Sequence, residues 1–355
     1  MGKRYLPPAH LSRTLETIPG LEVHPCGTSV EGRPILVTEL GSGPIRVLMW
    51  SQMHGNEATT TRAVADLLHL LMGNDPISQD LRQALTIRIL PQLNPDGAKS
   101  YTRENAAGVD LNRDARLLTQ PESKVLREQY LEFRPRFCFN LHDQRTIYNV
   151  GNTPVPATLS FLSPAQDPER TLTSNRKEAM QLIACIASDL QAELPGGIGR
   201  YDDSFNADCT GDQFQMAGTP TVLFEAGHFP GDYQREETRA FVFKALLSAL
   251  QHIARGSHRK VQPEGYLQIP ENGKDFTDLH VLSAHLLDPR YSGELPLAIQ
   301  YREVLRKGRI FFQPQWPEEG LGSCTYAHEC LDLSTPAGMQ AVRSREALYH
   351  FLLSE

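Results

Sequence analysis

Residues 45–62 read IRVLMWSQMHGNEATTTR, and this stretch decides the fold. It begins with a largely apolar run, which is typical of a strand buried on both faces of a sheet. After it, apolar residues recur at helical spacing as far as Leu71, as expected for a helix with one buried face. A buried strand followed directly by a helix predicts an α/β domain. His54 and Glu57 lie at the junction, three residues apart, so that their side chains can face one point.

The same combination of strand and helix recurs along the chain. Short apolar runs bounded by turn residues predict strands over residues 46–53, 85–93, 136–141 and 220–224. Helical periodicity predicts helices over residues 57–71, 176–194 and 234–252. We therefore predict a mixed, largely parallel central sheet flanked by helices. Ligands of such sheets bind beyond the carboxyl ends of the strands, which is where His54 and Glu57 fall.

The chain changes character after Ala254. The segment RGSHRKVQPEGY (255–266) is typical of a linker, and the tail beyond it has short apolar runs separated by Pro and Gly turns. We therefore predict two domains, one of residues 1–258 and a small β-rich domain of residues 259–355. Within the tail, the pattern predicts strands over residues 266–270, 297–301 and 309–314, and one terminal helix over residues 337–353.

The composition excludes some classes of partner. Hydrophobic residues make up 40% and charged residues 22% of the 355-residue chain, which is typical of a globular protein. A net charge of −7 offers no basic surface for phosphate backbones, so we expect no nucleic-acid partner. No stretch approaches the ~18 apolar residues of a membrane-spanning helix, and the N-terminus lacks the apolar core of a signal peptide. We expect a cytoplasmic protein without a membrane partner, whose six cysteines are free thiols. The composition specifies no oligomeric state.

Polar residues follow the second predicted strand. It runs into NPDG (94–97), a turn by composition, and then into a polar loop that contains Arg103, Asn112 and Arg113. Guanidinium groups near a strand end suit the capture of a carboxylate or the polarisation of a carbonyl group. A solvated loop with chance arginines is the alternative.

Histidine and acidic residues follow the third and fourth strands. His142, otherwise a structural histidine, completes with His54 and Glu57 a set of three ligands with a fourth position open, the arrangement of a catalytic zinc. Asp143 is either a partner of a ligand or a turn residue, and we favour the turn. Glu225 ends an apolar strand, where a carboxylate suits a general base beside a metal-bound water. The alternative is a rim carboxylate paired with a loop arginine.

Six short motifs occur in a fixed order, namely MHGNE, NPDG, YTREN, GVDLNRD, NLHDQ and LFEAG. In this order they resemble the zinc metallocarboxypeptidases of the carboxypeptidase A/B type, over about residues 45–233. The resemblance implies a hydrolase of bacterial type with an added C-terminal β-rich domain. It implies that His54, Glu57 and His142 bind one Zn²⁺ per chain. It also implies hydrolysis of the C-terminal peptide bond of peptides through a zinc-bound water activated by Glu225.

The resemblance extends to the polar loop and has two departures. Arg103 would polarise the scissile carbonyl, while Asn112 and Arg113 would bind the terminal carboxylate of the substrate. The family's mobile-loop tyrosine has no clear counterpart, and Tyr201 is the nearest tyrosine to its expected place. Asp212 is either an acidic pocket residue that selects a basic side chain or an N-terminal helix residue, which we favour.

Two alternatives to a carboxypeptidase are considered. The β-rich tail resembles that of the aspartoacylase and succinylglutamate desuccinylase type, which has similar HGNE and DLNR motifs, so a zinc-dependent deacylase of N-acyl amino acids is the alternative. The substrate is then either a peptide or an N-acyl amino acid. A non-catalytic binding module of the same fold is disfavoured because all three predicted ligands and the predicted base are present.

Overall fold

The computed structural model describes residues 4–291, 295–318 and 325–354. Cys324, one of the six cysteines predicted to be free, lies outside the described residues. The strands of the described residues are β1 (His24–Thr28), β2 (Pro34–Gly41), β3 (Ile45–Ser51), β4 (Leu85–Leu90), β5 (Phe137–Asp143), β6 (Asn149–Val150), β7 (Leu159–Leu162), β8 (Ile198–Arg200), β9 (Thr221–Ala226), β10 (Asn272–Gly273), β11 (Phe276–Leu282), β12 (Leu297–Arg306), β13 (Arg309–Gln315) and β14 (Tyr326–Asp332). The α-helices are α1 (Pro8–Glu16), α2 (Thr59–Leu71), α3 (Pro76–Ala84), α4 (Pro95–Ser100), α5 (Pro121–Phe133), α6 (Ser174–Leu190), α7 (Thr210–Met216), α8 (Glu236–Arg255), α9 (Glu264–Leu267), α10 (Pro336–Ser344) and α11 (Glu346–Leu353). Short 3₁₀ turns cover Leu111–Arg113, Ser257–Lys260 and Ala284–Leu286.

The main sheet has eight strands in the order β1-β2-β4-β3-β5-β9-β7-β8. Its four middle strands, β4, β3, β5 and β9, are parallel to one another. Antiparallel pairing occurs where β1 meets β2, where β2 meets β4 and where β7 meets β9. The prediction of a mixed, largely parallel sheet is therefore confirmed. None of the helices in the described ranges is long and apolar enough to cross a membrane.

The central strand β3 is buried on both faces because its alternate side chains enter two different cores. Val47 and Met49 belong to the larger core, to which α2, α6 and α8 also contribute. Leu48 and Trp50 point to the opposite face and belong to the smaller core beneath α5. A strand covered on both sides needs apolar residues at every position, which explains the unbroken apolar run of the sequence.

The C-terminal part forms a separate four-stranded sheet in the order β13-β12-β11-β14, covered by α10 and α11. Strands over residues 297–301 and 309–314 are confirmed. The predicted strand over residues 266–270 is wrong, since α9 extends into this segment as far as Leu267. Tyr266 and Ile269 lie in the larger core. These two apolar residues are three apart, which fits one side of a helical turn.

The predicted terminal helix over residues 337–353 is two helices, α10 and α11, separated at Arg345. Arg345 leaves the helical conformation, with φ −96° and ψ 81°, and its guanidinium group forms two hydrogen bonds with the Glu329 carboxylate of β14.

The C-terminal sheet begins at Phe276, the first residue of β11. The division into residues 1–258 and 259–355 remains a prediction.

The C-terminal sheet is joined to the segment that follows β5. β10 pairs with β6, the Phe276 amide donates to the Ile147 carbonyl oxygen, and His328 Nε2 lies 2.7 Å from the Thr146 carbonyl oxygen. Tyr233, which precedes α8, donates from its hydroxyl to Asp278 of β11 over 2.8 Å. Since residues 144–150 continue from β5, the second sheet supports the strand end that carries His142.

The rings of His228 and His328 pack against each other within this junction, at an interplanar angle of 45°. Their ring centroids are 4.1 Å apart, and the His228 side chain also packs on the edge of Tyr233. Burial lowers the pKa of His228 well below its ordinary value, and Arg235 and Arg4 act in the same direction. Burial likewise lowers the pKa of His328 to about 4. Both imidazoles are therefore held in the neutral state by the fold.

We predict that the metal-free protein loses stability as the pH falls from about 6.5 to about 4. The unfolded histidines take up protons in this range, whereas the folded ones cannot, so acidification favours the unfolded state. Urea unfolding at several pH values measures the free energy of unfolding. Between about pH 6.5 and pH 4 this free energy should fall by about 1–3 kcal/mol less in His228→Phe than in the parent. His350→Phe, at an exposed position, is the matched control and should follow the parent. Equal pH dependence in His228→Phe and the parent would exclude His228 from this effect.

Candidate metal centre

Three predicted ligands converge on one point at the carboxyl edge of the main sheet. His54 Nδ1 lies 2.8 Å from Glu57 Oε1, and His142 Nδ1 lies 2.9 Å from Glu57 Oε2. The two Nδ1 atoms are 3.1 Å apart. Donors that share a tetrahedral zinc at about 2.1 Å are separated by roughly 3.4 Å, so small side-chain movements would place all three around one ion. The three residues form a cluster able to hold a metal ion.

The hydrogen bonding of His54 determines which of its nitrogens faces the cluster. Its Nε2 lies 3.0 Å from the Oδ1 of Asp110, a carboxylate that accepts hydrogen bonds when ionised. When Nε2 carries the proton of the neutral ring, Nδ1 presents a lone pair to the equally electron-rich Glu57 carboxylate. Such opposed acceptors are stabilised by a proton or a cation between them, and the donor set therefore fits a divalent metal.

Charge interactions in the cluster are strong because all three side chains are buried. Burial acts to raise the pKa of Glu57, but the two imidazoles outweigh it and hold that pKa well below its ordinary value. Burial acts to lower the pKa of His54, but the carboxylates of Glu57 and Asp110 outweigh it and raise that pKa. Burial lowers the pKa of His142. Glu57 is thus ionised and available as a ligand.

The metal-ligand segment is held against the NPDG segment by two glycines. Gly55 lies so close to the Gly97 backbone that a Cβ atom would be 1.9 Å from the Gly97 carbonyl carbon. Only glycine permits this approach. NPDG is the start of α4 and not a simple turn, because the Asn94 side chain accepts a hydrogen bond from the Gly97 amide over 2.8 Å. The prediction of a plain turn is therefore wrong.

The Asp143 carboxylate fits neither of the two alternatives considered for it, and the residue ends β5 instead of lying in a turn. Its carboxylate accepts hydrogen bonds from the Thr59 and Thr60 amides at 2.9 and 3.2 Å, and so caps the N-terminus of α2 from the neighbouring strand. The Asp143 amide donates to Glu57 Oε2 over 3.1 Å. The residue therefore fixes both the helix that follows Glu57 and one of the carboxylate oxygens of Glu57.

Arg103 lies directly beside the cluster. Its Nε and Nη2 atoms donate to Asp110 Oδ2 at 3.1 and 3.0 Å, and its Nη1 is 3.5 Å from Glu57 Oε1. Burial acts to lower the pKa of Arg103, but Glu57 and Asp110 outweigh it and raise that pKa. A permanent positive charge therefore faces the space next to the three ligands, where a developing oxyanion would be stabilised.

Asn112 and Arg113 line the same cleft, on the 3₁₀ turn capped by Asp110. Asn112 Oδ1 accepts a hydrogen bond from the Thr210 amide over 3.1 Å, which fixes the side-chain amide. Arg113 Nη1 donates to the Asn112 carbonyl oxygen and contacts Cys209 Sγ at 3.1 Å. The guanidinium group is joined to neutral partners in these contacts and keeps its charge for an anionic ligand.

Glu225 is the penultimate residue of β9 and lies beside His142 of β5, its register partner. Its Oε2 atom is enclosed and has no hydrogen-bond partner among the residues that the structure describes. Burial raises the pKa of Glu225 well above its ordinary value, and the charges of Glu57 and Asp143 add to this. An enclosed carboxyl group with an unpaired oxygen differs from the alternative of a rim carboxylate paired with an arginine.

One cavity of about 1080 Å³ is lined by all of the predicted site residues, namely His54, Glu57, Arg103, Asn112, Arg113, His142 and Glu225. Tyr201 also lines it, and burial followed by the charge of Glu225 raises the pKa of this phenol well above its ordinary value. Asp212 lies in the first turn of α7 and lines the cavity as well. Its position therefore fits both an N-terminal helix residue and an acidic pocket residue. Burial raises the pKa of Asp212 to about 6.

Comparison with known proteins agrees with this geometry. Residues 9–175 match the model of the family described as zinc carboxypeptidase. This segment, slightly less than half of the chain, is similar to the zinc carboxypeptidase family. The predicted resemblance to this family is therefore confirmed, and zinc is the ion that the family uses.

Named relatives share part of this family domain. A probable carboxypeptidase 2 of Trichophyton verrucosum is 29% identical over 112 residues, which cover 32% of this chain and 21% of the relative. Carboxypeptidase SOL1 of Arabidopsis thaliana is 29% identical over 142 residues, which cover 35% of this chain and 29% of the relative. The chain thus spans only about a fifth of the length of the fungal relative.

The fold is similar to that of solved metallo-carboxypeptidase structures. A metallo-carboxypeptidase from Burkholderia cenocepacia superposes with a TM-score of 0.57 at 19% identity, over 71% of this chain and 70% of that one. A metallo-carboxypeptidase from Pseudomonas aeruginosa superposes with a TM-score of 0.55 at 19% identity, over 70% of each chain. The predicted fold class is confirmed at this level.

Sequence reasoning missed two features of the centre. Asp110 lies within the motif GVDLNRD, but its contact with His54 spans 56 positions and no local pattern indicates it. The second feature is the C-terminal sheet, which contributes to the lining of the cleft through Asp278, Tyr301, Glu303 and Phe312. The short strands were visible in the sequence, but their placement against the cleft was not.

We predict that Asp110→Ala lowers zinc affinity by about 10–100-fold, because His54 loses the acceptor that orients its ring. Competition with a coloured chelator would measure the change. Asp208→Ala, which removes an exposed carboxylate paired with Arg116, is the matched control and should bind zinc like the parent. Unaltered affinity in Asp110→Ala would show that its contact with His54 does not support metal binding.

Proposed function

We propose that this chain is a zinc-dependent carboxypeptidase that hydrolyses the C-terminal peptide bond of peptides. The observation that carries the proposal is the convergence of His54, Glu57 and His142 in a cavity that Glu225 also lines. Among the described residues, Glu225 Oε2 has no hydrogen-bond partner. Zinc bound by the three ligands would act as a Lewis acid and lower the pKa of a coordinated water towards ~7. We expect one such ion per chain.

In this proposal Glu225 is the general base. Its enclosed Oε2 atom has no competing donor among the described residues and is free to take a proton from the attacking water. The protonated carboxyl group would then deliver the proton to the leaving amine. A positive ion at the cluster would favour the ionised form of Glu225, which burial alone disfavours.

The arginines would divide substrate recognition between them. Arg103, beside Glu57, would hold the carbonyl oxygen of the scissile bond as negative charge develops on it. Asn112 and Arg113 would bind the terminal carboxylate, with Arg113 replacing its contact with Cys209 by a charge-assisted hydrogen bond. The proposal includes a cytoplasmic location.

A deacylase of N-acyl amino acids is the second candidate, favoured by one observation. The C-terminal sheet lines the cleft, and a narrowed cleft suits a small substrate. Both reactions use the same ligands, base and carboxylate-binding residues. They differ only in what precedes the cleaved amide bond.

We predict that the purified zinc-loaded protein releases the C-terminal amino acid from N-blocked dipeptides but not the acid from N-acetyl or N-succinyl amino acids. Amino-acid release by chromatography would measure both series. Amidated dipeptides are the matched control and should resist cleavage, because Arg113 then lacks its carboxylate. Cleavage of the N-acyl amino acids alone would contradict the peptidase and identify the deacylase.

We predict that Glu225→Gln keeps its zinc and loses about 10²–10⁴-fold in kcat, since glutamine preserves the shape but cannot accept the proton. Zinc content by elemental analysis and peptide hydrolysis should be measured on the same sample. Glu193→Gln, an exposed position paired with Lys244 and away from the lining of the cavity, is the control and should keep its turnover. A fully active Glu225→Gln would remove Glu225 from the mechanism.

A further inference from the structure

We propose that the C-terminal sheet limits the length of the substrate, so that the cleft accepts peptides of a few residues and excludes the ends of long chains. The part of the sheet that limits the cleft is the hairpin of β12 and β13, which we call the wall. This inference rests on the proposed peptidase function and specifies its substrate class. It concerns a part of the chain that lies beyond the matched family segment of residues 9–175.

The hairpin has one face towards the cleft. Glu303 is the register partner of Phe312, and opposed residues of an antiparallel pair point to the same face. The Phe312 ring packs on Tyr233, and Glu303 accepts a hydrogen bond from the Tyr101 hydroxyl, so this face meets the first sheet's domain. Phe311 is one position away, 49% exposed, and therefore on the other face.

The wall is fixed to both flanks of the cleft. Glu303 forms an ion pair with Arg4 in addition to its hydrogen bond with Tyr101, and all three line the cavity. Behind it, Asp278 accepts hydrogen bonds from the Tyr233 hydroxyl over 2.8 Å and from the Tyr301 amide over 2.7 Å. Asp278 is buried, which raises its pKa to about 6, and these two donors satisfy its carboxylate within the junction. A wall with buried polar contacts on two sides resists displacement by a substrate.

The volume of the cavity gives a scale for the substrate. A sphere of the cavity's 1080 Å³ would be about 13 Å across, which corresponds to roughly three or four residues of extended chain. The terminal residue would occupy the part beside Arg113 and Asp212, and the residues before the cleaved bond would approach the hairpin. A longer peptide would have to displace Phe312 and its neighbours.

The test is a series of N-blocked peptides of two to ten residues with the same two C-terminal residues. For the zinc-loaded parent protein, kcat/KM should fall by at least about tenfold between the tripeptide and the decapeptide. Phe312→Ala should raise the decapeptide-to-dipeptide ratio of kcat/KM several-fold, because it removes a ring from the wall. Phe311→Ala, on the other face of the same strand, is the matched control and should keep the parent's ratio.

Three outcomes are distinguishable. Equal kcat/KM at all lengths in the parent overturns the length limit and leaves the peptidase function intact. An unchanged ratio in folded Phe312→Ala, checked by its melting temperature, overturns the assignment of the wall to this hairpin. Hydrolysis of no peptide by the parent, with zinc bound, overturns the proposed function and with it the inference. If Phe312→Ala does not fold, the length series of the parent decides alone.

Discussion

The parallel alignment of β4, β3, β5 and β9 is the constraint on which the rest of the structure depends. Parallel neighbours in register place their carboxyl ends at one edge, so the segments after four strands meet although they are far apart in the chain. His54 and Glu57 follow β3, His142 is the penultimate residue of β5, and Glu225 is the register partner of His142 on β9. The loop after β4 brings Arg103 to the same edge.

The cost of this convergence is electrostatic. Glu57, Asp143 and Glu225 lie near one another in a buried region, and the charges of Glu57 and Asp143 disfavour ionisation of Glu225. Asp143 is stabilised by the amides of α2, and Glu57 by two imidazoles and Arg103. Glu225 alone has an oxygen without a hydrogen-bond partner in the described part of the chain. The unequal distribution of donors separates a carboxylate suited to metal binding from one suited to proton transfer.

The second sheet changes what this centre faces. Its contacts with residues 144–150 support the end of β5, and its hairpin lines the cleft. A domain added in the sequence after the core helices is thus part of the cleft in space. The buried pair His228 and His328 lies in the same junction, so protonation of either imidazole would place a charge inside the attachment of the second sheet.

The sequence by itself determined the strands around β3 and β5 and the candidate ligands, because burial on both faces and the spacing of His54 and Glu57 are local properties of the chain. The tertiary structure alone decided the contact of Asp110 with His54, the cap that Asp143 forms on α2 and the contact of Glu303 with Arg4. It also made residues 264–267 a helix and separated α10 from α11 at Arg345. These features arise from contacts between residues distant in sequence, whose partners are set by packing and hydrogen bonding that no local pattern encodes.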